Sequence, residues 1–163
     1  MTAKDSVTAR WMFADYWSAP PDLALSDQEN LDYGKALIIA ANGDGRLTEA
    51  EKEWIIGYGA TSGYSEETLA ALRAFEGRGD IESLFTTGLL TTEPARRIMV
   101  FDAIRAAGSD GELADDEIAT IRAVAQRLAV PDDQVDELLS LYRAEQEVKA
   151  RRVRTMFPEG YPV

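Results

Sequence analysis

The chain has 163 residues, and neither a cysteine nor a histidine is among them. Disulfides, thiolate or imidazole metal sites, cysteine nucleophiles and Ser-His-Asp triads are therefore excluded. A bound metal ion would need oxygen ligands, which suit hard cations such as Ca²⁺, Mg²⁺ or Mn²⁺. General acid or base chemistry would fall to Asp, Glu, Lys, Tyr or a chain terminus.

Basic residues are also in short supply, with 17 Lys and Arg against 29 Asp and Glu and a net charge of −12. This balance argues against a domain that binds nucleic acid or an anionic membrane with its whole surface. No apolar run approaches the roughly 20 residues of a membrane span. The residues that follow Met1 are polar rather than a basic start to an apolar stretch. We therefore expect a cytoplasmic protein without a signal peptide.

Helix-capping residues followed by apolar stripes recur along the chain, and β-branched alternation of strand length is absent. The sequence therefore predicts an all-α, compact, single-domain helical bundle. It also predicts a short helix from Asp80 to about Gly88 and a buried face with Ile98, Phe101 and Ile104. The predicted helix starts are Ser26–Glu29, Thr48–Glu51, Ser65–Glu67, Thr92–Pro94 and Pro131–Asp133.

An aromatic segment precedes the main bundle, and we interpret residues 1–25 as an accessory N-terminal helix. Aromatic residues at helical spacing are normally core, so packing on the body is the first interpretation. The alternative is a ligand pocket formed by Trp11, Tyr16 and Trp17 together with a buried carboxylate. That alternative would make the chain a small-ligand-binding protein or an enzyme.

The C-terminal end of the chain is basic, and we separate residues 146–163 from the main domain at 26–145. Lys149, Arg151, Arg152 and Arg154 crowd the end of the last predicted helix. Cations at this position complement the negative end of the helix dipole. We interpret the cluster as a solvated face in preference to an anion site.

One turn is repeated along the chain. Asp44-Gly45-Arg46-Leu47 with Glu51 recurs 66 residues later as Asp110-Gly111-Glu112-Leu113 with Glu117. Each copy follows an alanine-rich helix end and precedes an amphipathic helix. The repeat predicts two pseudo-symmetric halves, each built about one Asp-Gly corner. In each corner the glycine turns the chain, the leucine anchors the turn to the core, and the glutamate faces open amides of the next helix.

Both corners can be compared with the EF-hand calcium loop. In the first copy, Asn42, Asp44 and Glu51 fall at ligand positions three, five and twelve, but Ala40 occupies position one. The second copy retains only Asp110 and Glu117. Because calcium takes six to eight oxygen ligands, we favour a structural corner. Weak binding of Ca²⁺ or Mg²⁺ would need water or carboxylates from elsewhere in the fold.

The chain resembles the TerB-like domain of tellurite-resistance proteins over residues 30–141. The resemblance rests on Asp44-Gly45 with Thr48–Lys52, on the stretch from Gly79-Asp80-Ile81 through Glu93–Arg96, and on Ala106–Glu117. It implies a helical domain with pseudo-twofold halves and a link to tellurite and other chemical stress. Ala114 stands in the second corner where Thr48 caps the first, which is a departure from an ideal repeat.

The resemblance also implies a divalent-metal or membrane-associated signalling surface made by the acidic corners. Carried over to this sequence, the candidate metal residues are Asp44, Glu51, Asp110 and Glu117, with Asp115 and Asp116 nearby. We therefore expect a non-catalytic stress-response domain that binds a divalent metal or a protein partner through these corners. The sequence names no catalytic residue and no nucleic-acid partner. A third hypothesis is a homodimer formed through an exposed apolar face.

Overall fold

A computed structural model describes residues 6–20, 25–43, 45, 47–111 and 113–162 of the chain. Of Asp110 it describes the backbone alone. The described residues form helices and turns and contain no strand, which confirms the all-α prediction. The helices are α1 (Val7–Trp11), α2 (Asp27–Ala41), α3 (Glu49–Thr61), α4 (Glu66–Ala74), α5 (Glu93–Ala107), α6 (Asp115–Arg127) and α7 (Asp132–Met156).

The predicted repeat is present in the positions of the helices. α2 and α5 begin at Asp27 and Glu93, and both have 15 residues. α3 and α6 begin at Glu49 and Asp115, and both have 13 residues. α4 and α7 begin at Glu66 and Asp132. Each helix of the first half therefore has a counterpart that starts 66 residues later, as the repeated corner predicts.

The central pair of helices is α2 and α5, which are buried on most of their surfaces. Ile38 on α2 and Ile104 on α5 occupy equivalent positions of the repeat, and both are fully buried. α3, α4, α6 and α7 pack around this pair. The predicted start of α2 is confirmed, because Ser26 and Glu29 form a capping box. In it the Ser26 amide donates to the Glu29 carboxylate over 2.9 Å.

The predicted face with Ile98, Phe101 and Ile104 is wrong at Ile98. Phe101 and Ile104 are buried, but Ile98 is 40% exposed. Residues three apart on an α-helix are separated by about 300° of rotation, so a run of threes drifts around the helix. Ile98 therefore lies about 120° from Ile104 and falls outside the buried face.

The predicted helix from Asp80 to Gly88 is also wrong, because two short 3₁₀ turns, Glu82–Leu84 and Gly88–Thr91, take its place. The Ser83 hydroxyl donates to the Asp80 carbonyl, and the Thr86 hydroxyl donates to the Ser83 carbonyl. Such local side-chain bonds compete with helix hydrogen bonds. Gly88 has φ +58°, a left-handed conformation that an α-helix cannot include.

Two flanking segments complete the fold. α1 continues into a π-helical turn at Met12–Tyr16, and Ala9 and Met12 are buried. At the other end α7 runs without interruption through residue 145 to Met156. In the part of the chain that is described, no helix combines the length and the apolar character that crossing a membrane requires.

Candidate functional site

The first corner is held by Asn42 and Gly45, which follow the end of α2. The Asn42 side chain accepts a hydrogen bond from the Leu47 amide over 3.2 Å and donates one to the Gly77 carbonyl over 3.2 Å. Gly45 adopts φ +82°. The Leu47 side chain packs against the core, as the sequence predicts. Asn42 therefore uses both ends of its amide within the protein.

The start of α3 is closed by a capping box between Thr48 and Glu51. The Thr48 hydroxyl oxygen accepts from the Glu51 amide over 3.2 Å. One carboxylate oxygen of Glu51, Oε2, accepts from the Thr48 amide and from the Thr48 hydroxyl, each over 2.7 Å. Glu51 is only 5% exposed. The predicted role of this glutamate at the open amides of the helix is confirmed.

The second corner repeats this arrangement in part. Glu117 Oε2 accepts from the Ala114 amide over 2.7 Å. Ala114 has no hydroxyl that could accept a hydrogen bond from the Glu117 amide, so this amide donates to Asp116 Oδ1 over 3.1 Å. Gly111 adopts φ +107°, and Leu113 packs against the core. The corner glycine and glutamate therefore act alike in both halves, although their capping residues differ.

The corner glycine yields a test with a matched control in the next helix. A Cβ added at Gly45 or at Gly57 meets no atom within 4 Å, so neither substitution is sterically blocked. Gly45→Ala is expected to destabilise the fold by about 1 kcal/mol because of the positive φ. Gly57→Ala is expected to stabilise it by about 0.5–1 kcal/mol, because Gly57 lies inside α3. Urea unfolding of both variants measures the difference, and equal effects would contradict the assigned turn.

The two corners meet at one pocket of about 210 Å³. Glu51 and Glu117, at equivalent positions of the two halves, both line it. The other polar residues of the lining are Thr48, Asp116 and Thr120. Small side chains leave the space open, namely Ala40, Ala41, Ala103, Ala107 and Ala114. The pseudo-symmetry thus places a buried carboxylate from one half and a carboxylate from the other around a shared opening.

The predicted metal residues are only partly placed by the structure. Asp44 lies outside the described residues, and the side chain of Asp110 is not among those described. Glu51 and Glu117 line the pocket, and so does Asp116, whereas Asp115 is exposed outside it. Within the described ranges no three acidic side chains gather closely enough to hold a metal ion by themselves.

A second cluster of functional groups surrounds Arg105, close to the end of α5. The guanidinium carbon lies 4.8 Å from the ring centroid of Tyr16 and 5.1 Å from that of Trp54. The rings of Trp17, Tyr58 and Phe101 lie 5.8–5.9 Å away. Cations are attracted to aromatic faces at such distances. We call this arrangement the arginine cage; α3, α5 and the segment after α1 contribute to it.

Asp102 lies beneath the arginine cage and is fully buried. Its Oδ1 accepts from Arg105 over 3.2 Å, and its Oδ2 accepts from the Tyr33 hydroxyl over 2.8 Å. Burial raises the pKa of Asp102 from 3.8 to about 6, against the opposing effects of Arg105, Tyr58 and Tyr33. Burial also raises the pKa of Tyr33 well above its usual value.

The aromatic residues singled out in the sequence separate in the structure. Tyr16 and Trp17 lie edge to face with ring centroids 5.2 Å apart and cover Arg105. Trp11 is 62% exposed. Two surface grooves of about 320 and 370 Å³ include Tyr16, and Trp17 lines the first of them. Trp11 lines neither groove.

Sequence reasoning did not identify Arg105 or Asp102. Asp102 interrupts the otherwise apolar stretch Met99–Ile104, and Arg105 follows it at the i,i+3 spacing of helix ion pairs. Trp54 and Tyr58 stand four residues apart and stack with an interplanar angle of 6°. These spacings were the available signals. They do not predict that the Asp102–Arg105 pair of α5 contacts the Trp54–Tyr58 pair of α3.

Two repeated three-helix halves with facing corners define a duplicated all-α fold. The chain matches the crystal structure of a tellurite resistance protein from Nostoc punctiforme with a TM-score of 0.87 and 24% sequence identity. The match covers 100% of both chains. The expected resemblance is thereby confirmed at the level of the fold. No family model matches the sequence, and a search of curated proteins found no match.

Proposed function

We propose that this chain is a non-catalytic TerB-like domain of the tellurite-resistance class that works in the cytoplasm. In this proposal it binds a divalent cation, Ca²⁺ or Mg²⁺, in the pocket between its two corners. The observation that carries the proposal is the convergence of Glu51 and Glu117 on one pocket. The full-length structural similarity to a protein described as a tellurite resistance protein supports the class.

The donor set of the pocket fits a hard cation. Carboxylates of Glu51, Asp116 and Glu117 and hydroxyls of Thr48 and Thr120 line it, and nitrogen or sulfur ligands are absent from this lining. Oε2 of each glutamate already accepts a backbone hydrogen bond. These bonds fix the orientation of both carboxylates. A cation would be held by carboxylate oxygens of this lining and by water, as Mg²⁺ commonly is.

The consequence of binding is electrostatic. Carboxylates that share a pocket repel one another, and a divalent cation removes that repulsion. Because Glu51 and Glu117 belong to different halves, the cation would tie the starts of α3 and α6 together. A protein partner could then recognise the metal-bound form by the altered charge of this face. This mechanism needs no catalytic residue.

Metal titration followed by thermal melting tests the proposal. The melting temperature of the wild-type chain is expected to rise with Mg²⁺ or Ca²⁺. At a metal concentration one hundred times Kd, binding adds about 2.7 kcal/mol to the free energy of unfolding. Glu117→Gln is expected to abolish most of this response, because it removes a carboxylate from the pocket. Isothermal titration calorimetry measures the same binding directly.

Asp115→Asn is the matched control, since Asp115 stands in the first turn of the same helix but outside the pocket. It removes one charge, as Glu117→Gln does, and is expected to leave the metal response intact. A wild-type melting curve that does not move up to millimolar metal would contradict cation binding. Equal losses in both variants would show a nonspecific effect of net charge.

A small ligand or an enzymatic reaction at the aromatic segment is the alternative function. It requires a buried carboxylate that is open to a ligand near Trp17. Asp102 is such a carboxylate by burial, but it is bonded to Arg105 and Tyr33. The rings above it already surround Arg105. These contacts favour a structural role for the segment over a binding site.

A further inference from the structure

The last part of α7 extends beyond the body of the protein. α7 has 25 residues, and its buried side chains, Val135, Leu139 and Tyr142, all lie in its first eleven. Residues 147–156 are exposed at every position. Isolated helices shorter than about 12–15 residues are marginal in water, because most helix stability comes from packing. This extension therefore has the character of a helix that packs on a partner.

One face of the extension carries a regular stripe of side chains. Leu141, Glu145, Val148, Arg152 and Met156 are spaced by four, three, four and four residues, which keeps them within about 80° on an α-helix. Leu141, Val148 and Met156 are 50%, 48% and 66% exposed. We call these five residues the α7 stripe.

The α7 stripe is complementary to itself when reversed. If two copies of the helix run antiparallel about a centre between residues 148 and 149, Leu141 faces Met156 of the other copy. Glu145 then faces Arg152, and the two Val148 side chains meet near the centre. A two-fold axis repeats each of these pairs. The same two helices in a parallel, in-register arrangement would oppose Glu145 to Glu145 and Arg152 to Arg152.

Charge also favours a copy of this chain as the partner. Residues 148–156 contain four basic side chains and no acidic one, in a chain whose net charge is −12. A groove of about 370 Å³ lies where the helix leaves the body, and its lining combines the apolar Leu141 and Val148 with one acidic residue, Glu145, and two basic ones, Lys149 and Arg152. The Tyr16 hydroxyl lies 3.5 Å from Glu145 Oε2 at its edge. In the antiparallel pair, Arg152 of each copy therefore faces Glu145, the one acidic residue in the groove of the other copy.

We propose that the chain forms a two-fold symmetric homodimer in which the α7 stripes of two copies pack antiparallel. The partner of each exposed extension is the groove at Tyr16 and Glu145 of the other copy. This interface lies at the opposite end of α7 from the start that packs into the bundle, and it does not involve Glu51 or Glu117. Dimerisation and cation binding can therefore fail independently.

Reversal and exchange of charge test the pairing of Glu145 with Arg152. The wild-type chain is expected to sediment as a dimer at micromolar concentration. Arg152→Glu places two carboxylates opposite each other at two symmetric positions, so we expect the dimer Kd to rise about tenfold or more. The double variant Glu145→Arg, Arg152→Glu restores both pairs and is expected to restore the dimer.

Arg151→Glu is the matched control, since this neighbouring basic residue is exposed but lies about 100° away around the helix. It is expected to leave the dimer Kd unchanged. Circular dichroism of all variants reports whether each one keeps its helices. A monomeric wild type, an Arg151→Glu effect equal to that of Arg152→Glu, or a double variant that stays monomeric would overturn the proposal.

The absence of cysteine allows a geometric test by crosslinking. Val148→Cys lies beside the proposed two-fold axis, so oxidation is expected to give a disulfide-linked dimer. Met156→Cys residues would lie about 22 Å apart in the antiparallel pair and are expected not to crosslink. Crosslinking of Met156→Cys in preference to Val148→Cys would overturn the antiparallel arrangement. Binding of a monomeric wild type to anionic phospholipid vesicles through the extension would instead identify a membrane as the partner and overturn the dimer.

Discussion

Replacing Asp102 by alanine is expected to destabilise the protein by about 3–5 kcal/mol. The substitution removes the only bonded carboxylate beneath the arginine cage, as far as the described residues show. The Tyr33 hydroxyl then loses its acceptor in a fully buried place, and Arg105 loses its ion-pair partner. Leaving buried polar groups without partners is a large penalty because water cannot replace the lost bonds. Urea unfolding measures the change.

Glu137→Ala provides the control for Asp102→Ala. Glu137 is an exposed acidic residue of α7, so its loss is expected to change the free energy of unfolding by less than about 0.5 kcal/mol. The two substitutions remove the same charge from the chain. Similar effects for both would contradict a specific role of the buried network.

Asp102→Asn separates the hydrogen bonds of this side chain from its charge. The folded pKa of Asp102, about 6, is higher than its unfolded value, so the folded state binds more protons between about pH 4 and 6. The stability that Asp102 contributes is therefore fully present below about pH 4 and is lost as the pH rises through 6. Asparagine keeps hydrogen-bonding capacity but does not titrate.

The wild type should therefore lose stability relative to Asp102→Asn between pH 4 and pH 7, by up to about 3 kcal/mol. Unfolding experiments on both proteins at several pH values give this difference directly. The subtraction cancels the titration of the many surface carboxylates, which both proteins share. If the wild type instead gained stability relative to Asp102→Asn as the pH rose, the ion pair with Arg105 would outweigh the desolvation of Asp102.

The features predicted from the sequence are those that depend on local chemistry. Ser26 and Thr48 predict helix starts because their hydroxyl oxygens accept hydrogen bonds from amides three residues later. Both capping boxes are present in the structure. The repeat could be predicted because the turn needs a positive φ at the same position in both halves. Glycine therefore stands at both positions, Gly45 and Gly111. Two similar corners then implied two similar halves, and the equal helix offsets agree.

The features that could not be predicted depend on how helices cross. The spacing of Asp102 and Arg105 indicates their ion pair but not the rings around Arg105, since these rings come from three separate stretches of the chain. The pocket between the corners is a similar case. In the sequence its alanines are indistinguishable from other helix-forming residues, and only the packing of the two halves shows that they line a pocket. The helix predicted at residues 80–88 is wrong for a different reason, because hydrogen bonds from the Ser83 and Thr86 hydroxyls compete with helix hydrogen bonds there.

The role of the aromatic segment can be tested by comparing substitutions of two tryptophans, Trp11 and Trp17, that lie six residues apart. Trp17 contacts Phe101 with ring centroids 6.3 Å apart and lies 5.8 Å from Arg105, whereas Trp11 is 62% exposed. Trp17→Ala is expected to lower the free energy of unfolding by about 3 kcal/mol, because it opens the arginine cage to water. Trp11→Ala is expected to change it by less than about 0.5 kcal/mol.

Because the two substitutions are chemically identical and lie in one segment, their difference measures the contact of Trp17 alone. A large effect at Trp17 with none at Trp11 would establish the segment as part of the core, through its hold on Arg105. If Trp17→Ala instead left the unfolding curve unchanged, the ring would be free to serve a ligand, and the alternative of a small-molecule site would gain its first support. The same measurement therefore distinguishes core packing from ligand binding before any ligand is known.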